Sequence, residues 1–220
     1  MKKDATNKGF WERVAKLYTK VMSKNSGVYD AVCNQLGHYV SKDKNVLELA
    51  CGTGQITFRM ADMAGSWTAT DSSENMIREA KKRKAEGEGA SQTVFQVQDA
   101  TKLTYEDGCF DMVVIANALH IMPEPDLALK EIYRVLKPDG ILFAPTFVYE
   151  DGYSKLWIWL MEKIGFKTYH KWNKAELAAY INEHGFFVAE NIVIEGKPLV
   201  ECIITAVKNE KTDSCGGSRT

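Results

Sequence analysis

Apolar residues along this chain repeat first at helical spacing and then in short runs. Trp11, Val14, Ala15, Tyr18, Val21 and Met22 form one stripe, and Tyr29, Val32, Leu36 and Val40 form a second. Both predict amphipathic helices, with Gly27 as the break between them. From Asn45 onward, β-rich runs alternate with helical patterns, which is how a parallel sheet covered by helices on both faces is written. Strands are expected at Val46 to Ala50, Trp67 to Thr70, Val94 to Val97, Phe110 to Ala116 and Ile141 to Phe147. The helices between them run to about Ala64, from Glu74 to Lys84 with Ser72 or Ser73 as N-cap, and from Asp126 to Leu136 before Pro138 and Gly140 stop the last. Residues Ala85 to Ala90 read as a loop.

The order then changes. Tyr153 to Phe166 is dense in aromatic residues, Lys174 to His184 is helical, and Phe186 to Ile194 with Leu199 to Val207 reads as an antiparallel edge hairpin. The tail from Asn209 has a disordered composition. The predicted organisation is a helical lid over 1–44, one doubly wound α/β domain with a mostly parallel seven-stranded sheet over 45–208, a cap segment near 149–170, and a tail over 209–220.

At 220 residues such a domain can bury a substantial core. A formal net charge of -1 gives no general attraction to nucleic acid or anionic membrane, so no nucleic-acid partner is expected. The N-terminus lacks the apolar run of a secretory signal and no stretch is long enough to span a bilayer, so a cytoplasmic location is expected. The five cysteines lack the spacing of a zinc site or a disulfide framework, so no metal is expected and Cys51 is read as a small side chain beside a tight turn.

The chemistry begins at Glu48-Leu-Ala-Cys-Gly52-Thr-Gly54, where an apolar strand runs into a glycine turn and a helix. Gly52 and Gly54 let the backbone approach a ligand. Thr57 stands where a dinucleotide fingerprint wants its third glycine, and no Gly-Lys-Ser/Thr follows for a phosphate. Glu48 would repel a pyrophosphate, so the pattern prefers a ligand with a cationic end. Asp71 ends the second strand, where a carboxylate can accept from both hydroxyls of a ribose. Asp99-Ala100 closes the third, where an acid can receive an adenine amino group beside a small residue. Ligands of open parallel sheets lie outside the carboxyl ends of the strands, which brings these acids toward one crevice.

Together with Asp71-Ser72-Ser-Glu-Asn-Met76, Phe110-Asp111 and Arg134-Val-Leu-Lys-Pro-Asp-Gly140, these segments resemble the ordered motifs of class I S-adenosylmethionine-dependent methyltransferases, nearest the small-molecule branch that includes the ubiquinone/menaquinone-type enzymes. The resemblance spans roughly residues 10 to 207. It implies a Rossmann-like methyltransferase fold with S-adenosyl-L-methionine as cofactor and S-adenosyl-L-homocysteine as product. It further implies that Gly52 and Gly54 underlie the methionine moiety, Asp71 and Ser72 border the ribose, and Met76, Asp99 and Ala100 border the adenine. By the same resemblance, Asn117 would lie beside the cofactor and Glu48 would organise the loop. The family's loop opens with a glycine where this chain has Ala50. Tyr18 resembles the aromatic residue of the family's lid, or it packs the helix onto the sheet.

In-line methyl displacement requires alignment above all, and a base only where the acceptor must lose a proton. His120 is the candidate base, or a structural histidine. Asn117-Ala-Leu-His120 replaces the Asn-Pro-Pro-Tyr-like sequence of DNA-amino methylases. The acceptor is expected to be small and lipophilic, with an oxygen, nitrogen or sulfur nucleophile; the alternatives are a lipid or quinone methyltransferase working at a membrane face, or a catalytically silent S-adenosylmethionine-binding protein. The aromatic segment at Tyr153 to Phe166 is a pocket roof, a membrane contact or core.

Overall fold

In the computed structural model, which describes residues 7–22, 26–149, 167–194 and 200–209, seven strands form one sheet. Most of the cap segment, including Tyr153 to Phe166, most of the tail and the side chain of Tyr18 lie outside the described residues. The chain runs α1 (Lys8–Met22), α2 (Ser26–Leu36), β1 (Asn45–Leu49), α3 (Thr57–Met60), β2 (Ser66–Asp71), α4 (Glu74–Ala85), β3 (Val94–Val97), β4 (Phe110–Ile115), α5 (Pro125–Val135), β5 (Leu136–Val148), α6 (Lys174–Glu183), β6 (Phe186–Ile194) and β7 (Val200–Lys208). The strand order is β3-β2-β1-β4-β5-β7-β6. Pairs from β3 to β5 are parallel, whereas β7 is antiparallel to both β5 and β6.

Alternation along each strand sends side chains to two apolar layers. Leu47, Val113, Leu142 and Ile204 meet Leu129 and Ile132 of α5 and Leu177 and Ile181 of α6. Val46, Met112, Phe143 and Ile203 meet Val32 and Leu36 of α2 and Ile77 and Ala80 of α4. The doubly wound architecture with its edge hairpin is as the sequence predicts.

Three local expectations are corrected. Gly27 falls within the first turn of α2 and not between the helices. The helix expected to reach Ala64 is one turn, α3, followed by a 3-10 turn at Ala61–Met63. There the Gln55 carbonyl accepts from the Arg59 guanidinium at 2.6 Å, so a side chain occupies a carbonyl at the helix start. Pro138 and Gly140 do not stop α5, which ends at Val135. They lie in a bulge of β5, where Phe110 faces Leu136 but Met112 already faces Ile141, with Asp139 at φ 56°.

Two of the quoted motifs serve the framework at the amino ends of the strands. Asp111 accepts from the Asn45 amide at 2.9 Å and from Lys137 Nζ at 2.9 Å. Arg134 donates to Glu131, to Asp107 and to the carbonyls of Leu103 and Tyr105, fixing the approach to β4.

Candidate cofactor and acceptor site

At the opposite rim, the carboxyl ends of β1 to β4 open into a hollow of about 470 Å³. Its wall includes Glu48, Ala50, Gly52, Asp71, Ser72, Met76, Asp99, Ala100 and Asn117, so one crevice gathers nine of the residues singled out from the sequence. Gly54 belongs to the same loop as Gly52 but is not a wall residue. At φ +85°, a Cβ there would come within 2.6 Å of the Phe58 ring, so glycine lets the turn close onto that aromatic side chain.

The loop is tied to the acid of β2. Asp71 accepts from the Gly52 amide at 2.9 Å through Oδ2 and from the Ser73 amide at 2.8 Å through Oδ1. Each carboxylate oxygen keeps a second lone pair, so a diol can still be received. Burial pushes the Asp71 carboxyl up to about 6 against the pull of those two amides. Ser73, rather than Ser72, caps α4, its Oγ accepting from the Met76 amide at 3.2 Å. This turns Met76 inward and leaves Ser72 on the wall.

Glu48 is buried, and its Oε2 accepts from Thr57 Oγ1 at 2.5 Å and from Trp67 Nε1 at 2.8 Å. These bonds anchor the loop between β1 and β2, while burial lifts the carboxyl to about 7. Ala50 holds φ 53°, a left-handed conformation that a glycine adopts without strain. Asp99 accepts from the Thr101 amide and hydroxyl, a turn-forming role it fills while lining the hollow.

His120, like Gly54, is not among the wall residues. It is 3% exposed within a 3-10 turn at Leu119–Ile121, and its ring lies 5.7 Å from the Phe147 ring. Burial, helped by neighbouring His170, lowers its pKa to about 3. An imidazole so weakly basic accepts a proton poorly at neutral pH, which removes the reason for nominating it as a base.

Several wall residues escaped sequence reasoning. Asn7 Nδ2 donates to the carbonyls of Ile121 and Lys167, and its Oδ1 accepts from the Lys167 amide at 2.9 Å. Glu12 of α1 accepts from the Glu74 and Asn75 amides at the start of α4, and its carbonyl accepts from Asn75 Nδ2 at 2.8 Å. Together these bonds bring Lys8 and Trp11 to the rim. Nothing local in the sequence signals such pairings. Trp11 alone had a signal, its place on the apolar stripe of the first helix.

The described wall carries four carboxyl side chains, Glu48, Asp71, Asp99 and Glu124, against the single ammonium of Lys8. That balance suits a ligand with cationic centres and opposes phosphates. Bare main chain at Gly52, an acid at the end of β2 and the apolar pair Met76 and Ala100 beyond it fit an amino acid, a ribose and a purine in that order. Residues 40–202 match the family described as a methyltransferase domain. The chain belongs to that family.

S-adenosyl-L-methionine is the cofactor of this class I methyltransferase fold. Among similar proteins, a ubiquinone/menaquinone biosynthesis C-methyltransferase of Rickettsia bellii is 36% identical over 104 residues, 44% of this chain and 42% of that protein. A demethylmenaquinone methyltransferase of Lactobacillus johnsonii is 41% identical over 98 residues, 43% of this chain and 40% of its own. The chain thus spans less than half the length of either relative. In fold it is similar to a methyltransferase of Haloferax volcanii solved with the Trm112 methyltransferase activator, with a TM-score of 0.73 and 19% identity over 91% of this chain and 98% of that one. No helix among the described residues is long and apolar enough to cross a membrane.

Proposed function

We propose that this protein transfers the methyl group of S-adenosyl-L-methionine to a small, lipophilic molecule. The observation that carries the reading is the convergence of Asp71, Met76, Asp99, Ala100, Gly52 and Asn117 on one hollow whose wall is acidic. The cofactor supplies a methyl carbon on a sulfonium centre already activated for displacement.

What remains for the chain is binding, alignment and exclusion of water. Asp71 receives the ribose hydroxyls on the lone pairs left free by Gly52 and Ser73. Met76 and Ala100 sandwich the purine, and Asp99 receives its amino group. Ser72 and Gly52 border the ligand, and Glu48 keeps the loop in register through Thr57 and Trp67. The N-terminal helices act as a lid, latched by Asn7 and Glu12, and Tyr18 belongs to this lid by position alone. Orientation and water exclusion of this kind are worth about 7 to 11 kcal/mol in well-aligned reactions.

Apolar wall residues, Trp11, Tyr29, Ile121, Met122 and Pro123, support a lipophilic acceptor, as do relatives named for quinone biosynthesis. Two measurements test the proposal. Calorimetry should find adenosylhomocysteine bound, and Asp71→Ala should weaken it at least about tenfold, as loss of a charged acceptor predicts. Deuteromethyl-labelled donor incubated with protein and cell extract should label a small organic compound, identified by mass spectrometry. Binding without any labelled product would make the chain a silent donor-binding protein, and no binding would remove the proposal altogether.

A further inference from the structure

Three unfavourable features meet where β4 leaves the sheet. Asn117 is held at φ 53° while its amide donates to the Pro145 carbonyl of β5 at 2.7 Å. Its side-chain nitrogen donates to Oε1 of Glu201 at 3.0 Å, across 84 residues of sequence. Glu201 is 1% exposed on β7, where its cross-strand neighbours are Phe147 and Ile194. Asn117 Oδ1 and Glu201 Oε2 are both buried, and neither has a hydrogen-bond partner among the described residues.

Such a cluster works against the fold. A buried carboxyl with one hydrogen bond is poorly compensated, and an apolar residue on β7 would pack at least as well. Orphaned polar atoms and left-handed non-glycine backbone concentrate instead where a ligand is received. Asn117 lines the hollow, so the cluster adjoins the site at this residue. Its carboxamide has a direction. With Nδ2 committed to Glu201, the atom left over is the oxygen, which accepts hydrogen bonds and cannot donate them.

We propose that Glu201 is a positioning residue that turns the Asn117 oxygen toward the methyl acceptor, so that acceptors with an N–H or O–H beside the reacting atom are selected over those without one. The inference rests on the methyltransferase reading and adds the acceptor's polar chemistry to it. Burial raises the Glu201 carboxyl to about 7, and Oε1 can accept from Nδ2 in either state because a proton can reside on Oε2.

The test uses protein saturated with adenosylhomocysteine and two pairs of probes that differ in the donor: phenol against anisole, and aniline against N,N-dimethylaniline. Affinities read by ligand-observed NMR should favour phenol and aniline about fivefold or more, the ratio expected when a buried acceptor gains or lacks its partner. Glu201→Gln, which keeps an accepting oxygen for Nδ2, should retain the preference. Glu201→Leu should lose it, and so should Asn117→Gly, whose backbone suits φ 53° and guards against misfolding as the explanation. Adenosylhomocysteine affinity should stay within about twofold in both Glu201 variants, since the carboxyl is assigned to the acceptor side. Equal binding within each pair by the wild type, or a preference that survives Asn117→Gly, overturns the inference. A parallel loss of adenosylhomocysteine affinity in Glu201→Leu overturns it too, by moving Glu201 to the cofactor. Failure of the unmutated protein to bind adenosylhomocysteine at all would instead refute the underlying methyltransferase reading.

Discussion

Two glutamates are buried on the same face of the sheet, Glu48 in line with Val46 on β1 and Glu201 in line with Ile203 on β7. Burial pushes each carboxyl up to about 7. Their surroundings differ. Glu48 accepts from a hydroxyl and an indole held by neighbouring elements, whereas Glu201 accepts from one carboxamide and has an orphaned oxygen. The same residue type at the same depth thus joins the framework in one place and leaves bonding capacity unused in the other. Burial alone does not set these two acids apart; their hydrogen-bond partners do.

The largest expected effect follows directly. Glu48→Leu strands the donors of Thr57 and Trp67 in the interior and should cost about 3 kcal/mol or more in urea unfolding. Glu201→Leu trades a poorly compensated carboxyl for apolar packing and should stay within about 1 kcal/mol of wild type at neutral pH. Equal losses would dissolve the contrast.

Next in size is the pH dependence of stability. Both glutamates have folded pKa values raised above the ordinary 4.5, so between pH 4.5 and about 7 the folded state holds protons that the unfolded state has released. Their stabilising contribution is complete below that window and is lost as pH rises through it, by roughly 3 kcal/mol for each carboxyl. Glu48→Gln should remove about half of the slope measured by denaturant melts, and the double variant with Glu201→Gln most of it. Asp71, raised to about 6, adds a smaller fall between its ordinary 3.8 and 6.

A binding measurement sharpens the role of the third buried acid. With Asp71 near 6, about one molecule in ten is ionised at pH 5, so adenosylhomocysteine affinity should fall about tenfold between pH 7.5 and 5. Asp71→Asn should bind more weakly and lack this pH dependence. An unchanged profile in that variant would assign the titration elsewhere.

How much was readable beforehand depended on sequence distance. The Asn173–Glu176 capping box and the Ser73 cap act within three residues, and the strand-end acids follow from periodicity. The latches of Asn7 and Glu12 join segments 62 to 160 residues apart, with no local signature. Glu201 was hidden by topology: β7 lies inside the sheet between β5 and β6, so Glu201 sits between the cross-strand neighbours Phe147 and Ile194. For His120 the sequence showed nearness to the fourth strand but not the packing of its ring against Phe147.

The smallest expected effect concerns the two rim residues that share left-handed backbone, Ala50 after β1 and Asn117 after β4. Asparagine tolerates that conformation and here carries a functional carboxamide, whereas alanine only bears its strain. Ala50→Gly should therefore stabilise the fold by about 0.5 to 1 kcal/mol, the relief of the Cβ clash being partly offset by the greater freedom of glycine in the unfolded chain. Adenosylhomocysteine affinity should be kept, because the main chain next to Gly52 retains its path. Asn117→Gly gains no comparable relief, because asparagine already tolerates this backbone and the change strips buried Glu201 of its donor, and it should lose the donor preference among acceptor probes. If Ala50→Gly instead destabilises the protein, the left-handed turn after β1 is not under strain, and the contrast between the two rim positions fails.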